Sequence, residues 1–222
     1  MAPLLAYLCI AYALVVGLFH PLHRPRRDRD LRPYIIYFVA FFVLFFLGPL
    51  FLVIVIRGGA PGSLAAVGLT LGNIRRSLPI MALGAPVCVL AGWIGSRDPA
   101  IRNFYPFSKE ACRSRGAFLA FELAYLILYY PAWEFLYRGV LLFPLVPALG
   151  LLPALLPQTL ISAAYHVGHP PSEILASAGA GIVFGLIAFW TGSILVTALL
   201  HALVGISTDT FLYLRFCRKP TA

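Results

Sequence analysis

Tyr130-Pro131-Ala132-Trp133-Glu134-Phe135-Leu136-Tyr137-Arg138-Gly139 places an acid and a base inside an otherwise apolar run. With Pro131 in the first turn of a helix, where its missing N–H costs nothing, Glu134 and Arg138 stand four residues apart on one face. The acid precedes the base, the better order for such a pair. Charged side chains at membrane depth are costly and face a protein interior or a water-filled cavity, which makes them markers of function. The rest of the chain has to supply their partners.

Of 222 residues, 61% are hydrophobic and 11% charged, with a mean hydropathy of +0.90, well outside the range of soluble globular domains. The apolar runs are long and continuous rather than alternating, which points to helices and not to a barrel. The expected fold is an all-α polytopic membrane protein, a bundle of about seven to eight transmembrane helices with a polar intramembrane cavity. The net charge of +9 sits in the gaps between apolar runs, where positive-inside anchoring and anionic headgroups place it. Membrane lipids are therefore the expected partners of this charge, and nucleic acid is not. Cys9, Cys88, Cys112 and Cys217 show no CxxC spacing and read as packing residues, without a disulfide framework or a zinc knuckle.

Met1 to Phe19 lacks a basic leader and a small-residue cleavage site and reads as a retained span over residues 4–19. The loop after it carries Arg24, Arg26, Arg27, Arg29 and Arg32, the densest positive cluster in the chain, and is assigned to the cytoplasm. His20 and His23 read as solvated loop residues. Spans follow over residues 34–56 and 78–94, separated by the turn Gly58-Gly59-Ala60-Pro61-Gly62 and an interfacial segment from Gly68 to Ser77. Gly84 and Pro86 suit a kink or a close helix approach. Residues 1–115 thus form N-terminal spans and interfacial segments, ending in a polar stretch from Gly95 to Arg115. Basic residues flank almost every span, so charge along the sequence determines the orientation only weakly. Residues 116–222 form the core, with helices over 117–130, 131–146, 154–166, 172–190 and 193–214. Small residues from Ala176 to Gly181 and at Gly185 suit tight packing in lipid.

Ionisable side chains at membrane depth, Glu134, Arg138, His166, Glu173, His201 and Asp209, all fall in that C-terminal half. Each has an ordinary explanation by itself: Arg138 neutralises Glu134, His166 caps a helix C-terminus, Glu173 complements a helix N-terminus, and Asp209 approaches the far interface. Their coincidence in half of a small protein is what the ordinary explanations leave over. His201 and Asp209, eight residues apart, share a helix face. Glu122 is either a polar lining residue or an acid near enough to the interface to reach water. Two chemistries fit. A glutamate and a histidine can deprotonate a water that attacks an amide carbonyl. Alternatively, Glu134, His166 and His201 form a two-histidine, one-glutamate zinc set with an open position for water; without an HExxH motif, such ligands would come from three different helices. Ser162, Ser193 and Ser207 carry no GxSxG context, and no cysteine is near a histidine in sequence.

In this order and spacing the residues resemble the CPBP family, the CAAX-protease and bacteriocin-processing intramembrane endopeptidases, whose motifs EExxxR, FxxxH and HxxxN lie on successive helices. Trp133 to Gly139 is similar to the first motif, His166 to the second, and Gly192-Ser193-Ile194-Leu195 leading to His201 to the third. The resemblance covers about the last half of the chain, from Glu122 onward. Three positions depart from the pattern. Trp133 stands in place of the first glutamate, the one thought to activate water; Ser162 replaces the aromatic four residues before His166; Gly205 replaces the asparagine, with Asp209 one turn further on. A register shift would pair Tyr165 with His169 instead. WEFxxRG, then HxGxPxxE, then a histidine with an aspartate eight residues later is similar to a bacterial branch of the family, which selects His166 and brings in Glu173 and Asp209 as supporting groups.

The resemblance implies a conical bundle with a cavity open to one leaflet, in a bacterial inner membrane, cutting a membrane-bound or prenylated peptide near its C-terminus. It implies Glu134 and His166 as the water-activating pair, His201 as oxyanion stabiliser or metal ligand with zinc the candidate ion, and Arg138 as the group that holds Glu134 ionised. The alternative is a catalytically inactive scaffold or bacteriocin-immunity protein that kept the fold after losing the first glutamate.

Overall fold

A computed structural model describes residues 2–19 and 30–217. Its helices are α1 (Ala2–Phe19), α2 (Leu31–Ile56), α3 (Ile74–Gly95), the short α4 (Pro99–Phe104), α5 (Arg115–Leu149), α6 (Leu151–Tyr165), α7 (Pro171–Thr191) and α8 (Leu195–Cys217). Five of these, α2, α3, α5, α7 and α8, are long and apolar enough to cross a bilayer. Among the described residues there is no strand. The chain is an all-α polytopic membrane protein. His20, His23 and the arginines from Arg24 to Arg29 lie outside the described residues.

Local chemistry sets the helix ends. The Asn73 side chain caps α3 by accepting the Arg76 N–H, Asp98 caps α4 through Ala100, and Ser114 caps α5 through Ala117. Gly192, at φ 71°, ends α7 in the left-handed conformation that suits glycine. α5 passes through Pro131 without a break. π-type turns at Tyr125–Tyr129 and Phe135–Leu142 flank the proline and loosen the hydrogen-bond ladder that its missing N–H would interrupt.

Small residues bring the site helices together. Gly92 on α3 lies directly against Ser207 on α8, and Gly84 lies against Leu200. On α7, Gly181 meets Thr159 of α6 and Gly185 meets Leu155, while Gln158 Nε2 donates to the Gly181 carbonyl at 2.9 Å. An aromatic core of Tyr37, Phe38, Phe41 and Phe45 from α2 packs on Tyr125, Tyr129 and Trp133 from α5. Large apolar side chains such as Phe51, Leu83, Val87, Leu175 and Ile182 point outward, as a lipid-facing belt requires.

Following the helices up and down sorts the loops onto two faces. One face carries the start of α2, the 96–114 segment, the α6–α7 turn and the end of α8; the other carries the α2–α3, α5–α6 and α7–α8 connections. Among the described residues the first face holds Arg32, Arg97, Arg102, Lys109, Arg113, Arg115 and Arg215, and the second holds Arg57, Arg75 and Arg76. The charge asymmetry that the linear sequence blurred is clear once the loops are assigned to faces.

One expectation is corrected here. Cys112 and Cys217, separated by 105 residues, form a disulfide that joins the 96–114 segment to the end of α8. Sequence spacing carries no sign of this contact, because it arises from the long excursion of the chain through α5 to α8. Cys88 is a packing residue, buried against Phe184, Val196 and Leu200.

Candidate active site

α3, α5, α6, α7 and α8 enclose a cavity of about 490 Å³, with Trp133, Arg138, His166, His169, Glu173 and His201 among its walls. A cavity of this size suits a short stretch of peptide or lipid.

One wall is built on α5 and α8. Glu134 Oε1 accepts hydrogen bonds from Arg138 Nη1 at 3.1 Å and from His201 Nδ1 at 2.8 Å. Glu134 is fully buried behind the wall, whereas His201 keeps 24% of its side chain exposed. The π-type turns after Glu134 widen the helix where Arg138 folds back onto the carboxylate. Gly139 follows because a Cβ there would press on Phe135 and on the Val67 carbonyl, so glycine lets the 65–67 turn approach. The carboxylate can only accept, so the His201 proton is assigned to Nδ1, leaving the Nε2 lone pair free.

The opposite wall is the α6–α7 turn. With 15 residues, α6 rises only about 22 Å, and the turn that follows it carries His166. His166 Nδ1 donates to the Ser162 carbonyl at 2.8 Å, which leaves its Nε2 lone pair 3.8 Å from Glu173 Oε1. The same carboxylate oxygen accepts from His169 Nδ1 at 3.0 Å and from the Tyr105 hydroxyl at 2.5 Å. Glu173 Oε2 is buried without a partner. Outside the spans, Asp98 accepts from the Ser172 hydroxyl and the Ala100 N–H, which hold its carboxyl below the usual range and pin the start of α7 to α4.

Trp133 stands between the walls, its ring 5.1 Å from that of His166 and 5.9 Å from that of His201. Asp209 lines the cavity and faces Glu122, and both acids are buried. The predicted site residues therefore gather around one cavity, but in a different pairing from the expected one. Glu134 is hydrogen-bonded to His201, and the carboxylate beside His166 is Glu173. Tyr105 and the Glu122–Asp209 contact went unrecognised in the sequence. Tyr105 reaches the site from a loop with no periodicity, whereas the membrane depth of Glu122 was a usable signal.

These features define a multi-pass membrane protein with an acid–histidine site enclosed among its helices. Residues 116–207 match the family model described as type II CAAX prenyl endopeptidase Rce1-like. The match spans 92 of the 222 residues and makes that segment similar to this family of membrane endopeptidases. The matched segment runs from the start of α5 into α8 and contains Glu134, Arg138, His166, His169, Glu173 and His201. Neither curated proteins nor solved structures give a significant match to the chain.

Proposed function

We propose that this chain is an intramembrane endopeptidase that hydrolyses a peptide bond in a membrane-bound or prenylated peptide, using a water activated by a glutamate and a histidine. The observation that carries this reading is the 2.8 Å hydrogen bond from His201 to Glu134 at the cavity wall. A buried carboxylate in that position fixes the imidazole, keeps Nε2 free to accept a proton, and stabilises the imidazolium that results. Water oxygen bonds to the carbonyl carbon while one of its protons passes to His201 Nε2. The C–N bond then breaks and that proton goes to the leaving amine. Arg138 balances the charge of Glu134 and fixes its position. His166, held by the Ser162 carbonyl, presents Nε2 to the same space and orients the water.

The charge asymmetry of the two faces supports an orientation with the Arg97–Arg115 side in the cytoplasm. Asp98 and Ser172, on that side, line the cavity mouth, so substrate enters from the cytoplasmic leaflet. The mostly apolar walls suit a lipidated or apolar C-terminal segment.

Protein reconstituted in vesicles tests this with quenched peptides, prenylated and plain. His201→Ala and Glu134→Ala are expected to lower cleavage by at least about 100-fold, the usual scale of general acid–base catalysis. Equal cleavage by all three proteins would remove the reading. One observation favours a second reading, a scaffold without activity: Trp133, at the position that the resemblance assigns to the first glutamate, is a buried packing residue. No cleavage by the wild type, together with rescue of a cellular phenotype by a Glu134→Gln, His166→Ala double variant, would select it.

A further inference from the structure

Among the described residues, His166, His169 and Glu173 each offer one ligand atom within 4.8 Å of the others. This trio comes from one turn and the first helical turn after it, not from three helices, and it excludes Glu134, whose near oxygen is taken by Arg138 and His201.

The arrangement is short of a cation. A backbone carbonyl can only accept, so His166 carries its proton on Nδ1 and turns a bare Nε2 lone pair toward Glu173 Oε1, itself an acceptor, at 3.8 Å. Such a pair needs either a second proton, carried on His166 Nε2 itself, or a metal ion between its atoms. Glu173 has no arginine or lysine partner among the described residues; its charge partners are His166 and His169 alone. Its second oxygen is buried and unpaired, which is costly for a carboxylate. The surroundings resemble those of a built metal site. The Ser162 carbonyl fixes the His166 ring through the nitrogen that would not bind metal, and the Tyr105 hydroxyl and the rings of Phe104 and Phe107 fix Glu173 and His169.

We propose that His166, His169 and Glu173 bind one divalent transition-metal ion, with zinc the best match to two imidazoles and a carboxylate. The proposal builds on the hydrolytic reading of this cavity and adds its ion. Ligands at zinc bond lengths lie roughly 3.3 to 3.6 Å apart, so the side chains need to close by about an ångström. The fourth position faces the cavity, where the attacking water of the proposed hydrolysis belongs.

The test uses untagged full-length protein in detergent, stripped with chelator and titrated with Zn²⁺ by calorimetry and with Co²⁺ by visible absorption. The wild type is expected to take up one equivalent with a tetrahedral Co²⁺ spectrum, and its melting temperature to rise with Zn²⁺. Glu173→Gln and His169→Ala are each expected to weaken binding at least tenfold, whereas Glu134→Ala binds metal like the wild type. Gel filtration and helical circular dichroism confirm that each variant is folded. Absence of stoichiometric binding by the wild type, or unchanged binding by Glu173→Gln and His169→Ala, would overturn the proposal. Cleavage by metal-free protein would overturn the catalytic role of the ion and leave the endopeptidase standing; metal bound without cleavage would do the reverse.

Discussion

Gly205 on α8 lies so close to the hydroxyl of Tyr130 on α5 that no Cβ fits between them. Tyr130 fills the space that a side chain at position 205 would need. The ring of Tyr130 also lies 5.0 Å from that of His201, so the two helices and this imidazole are packed through the contact. Gly205→Ala is expected to destabilise by about 1–3 kcal/mol, the scale of overpacking. Tyr130→Phe, which removes the nearest atom, should recover part of the loss, measured by thermal unfolding in detergent. Additive effects of the two changes would contradict the contact.

The Glu134–Arg138 pair makes a different prediction. Both side chains are almost completely buried. Removing one partner strands the other, so Glu134→Ala should cost about 3–5 kcal/mol, while Glu134→Leu with Arg138→Met should cost far less. Chemical denaturation of the three proteins in mixed micelles measures this. Cleavage should be lost in both variants, because neither keeps the carboxylate that holds His201.

Trp133 is a structural spacer between the two walls of the cavity. It packs against Tyr137, Tyr165 and His166, with a ring separation of 4.7 Å to Tyr137. Trp133→Ala is expected to lower stability by about 3–5 kcal/mol and to loosen the separation of the two histidines, whereas Trp133→Phe should be milder. A melting curve for each variant gives the comparison; an unchanged curve for Trp133→Ala would count against the packing role.

How much of this could be read along the chain differs from residue to residue. Glu134 and Arg138 were legible as a pair because a helix puts residues four apart on one face, and their cost in lipid demanded a reason. The spans were legible from continuous hydrophobicity. The pairing of Glu134 with His201 was not, because it spans 67 residues and depends on how α5 and α8 are rotated about their axes. The Cys112–Cys217 bond and the Tyr105–Glu173 contact have the same character: both link a loop to a distant helix end through tertiary geometry that no local spacing encodes. The arginines are visible in the sequence, but their division between faces follows from the direction of each helix.

That division predicts the orientation. In a cysteine-free background, Ala60→Cys should react with a membrane-impermeant maleimide in intact cells. Ala100→Cys, on the opposite face, should react only after the membrane is opened. The reverse labelling would invert the topology.

The endopeptidase reading itself meets its most direct test in peptide cleavage in heavy-oxygen water, followed by mass spectrometry. Reconstituted wild-type protein should cut a membrane-bound peptide at one site near its C-terminus and place one heavy oxygen in the new carboxylate, and His201→Ala should yield almost no product. An intact peptide, or the same product at the same rate from His201→Ala, would contradict it.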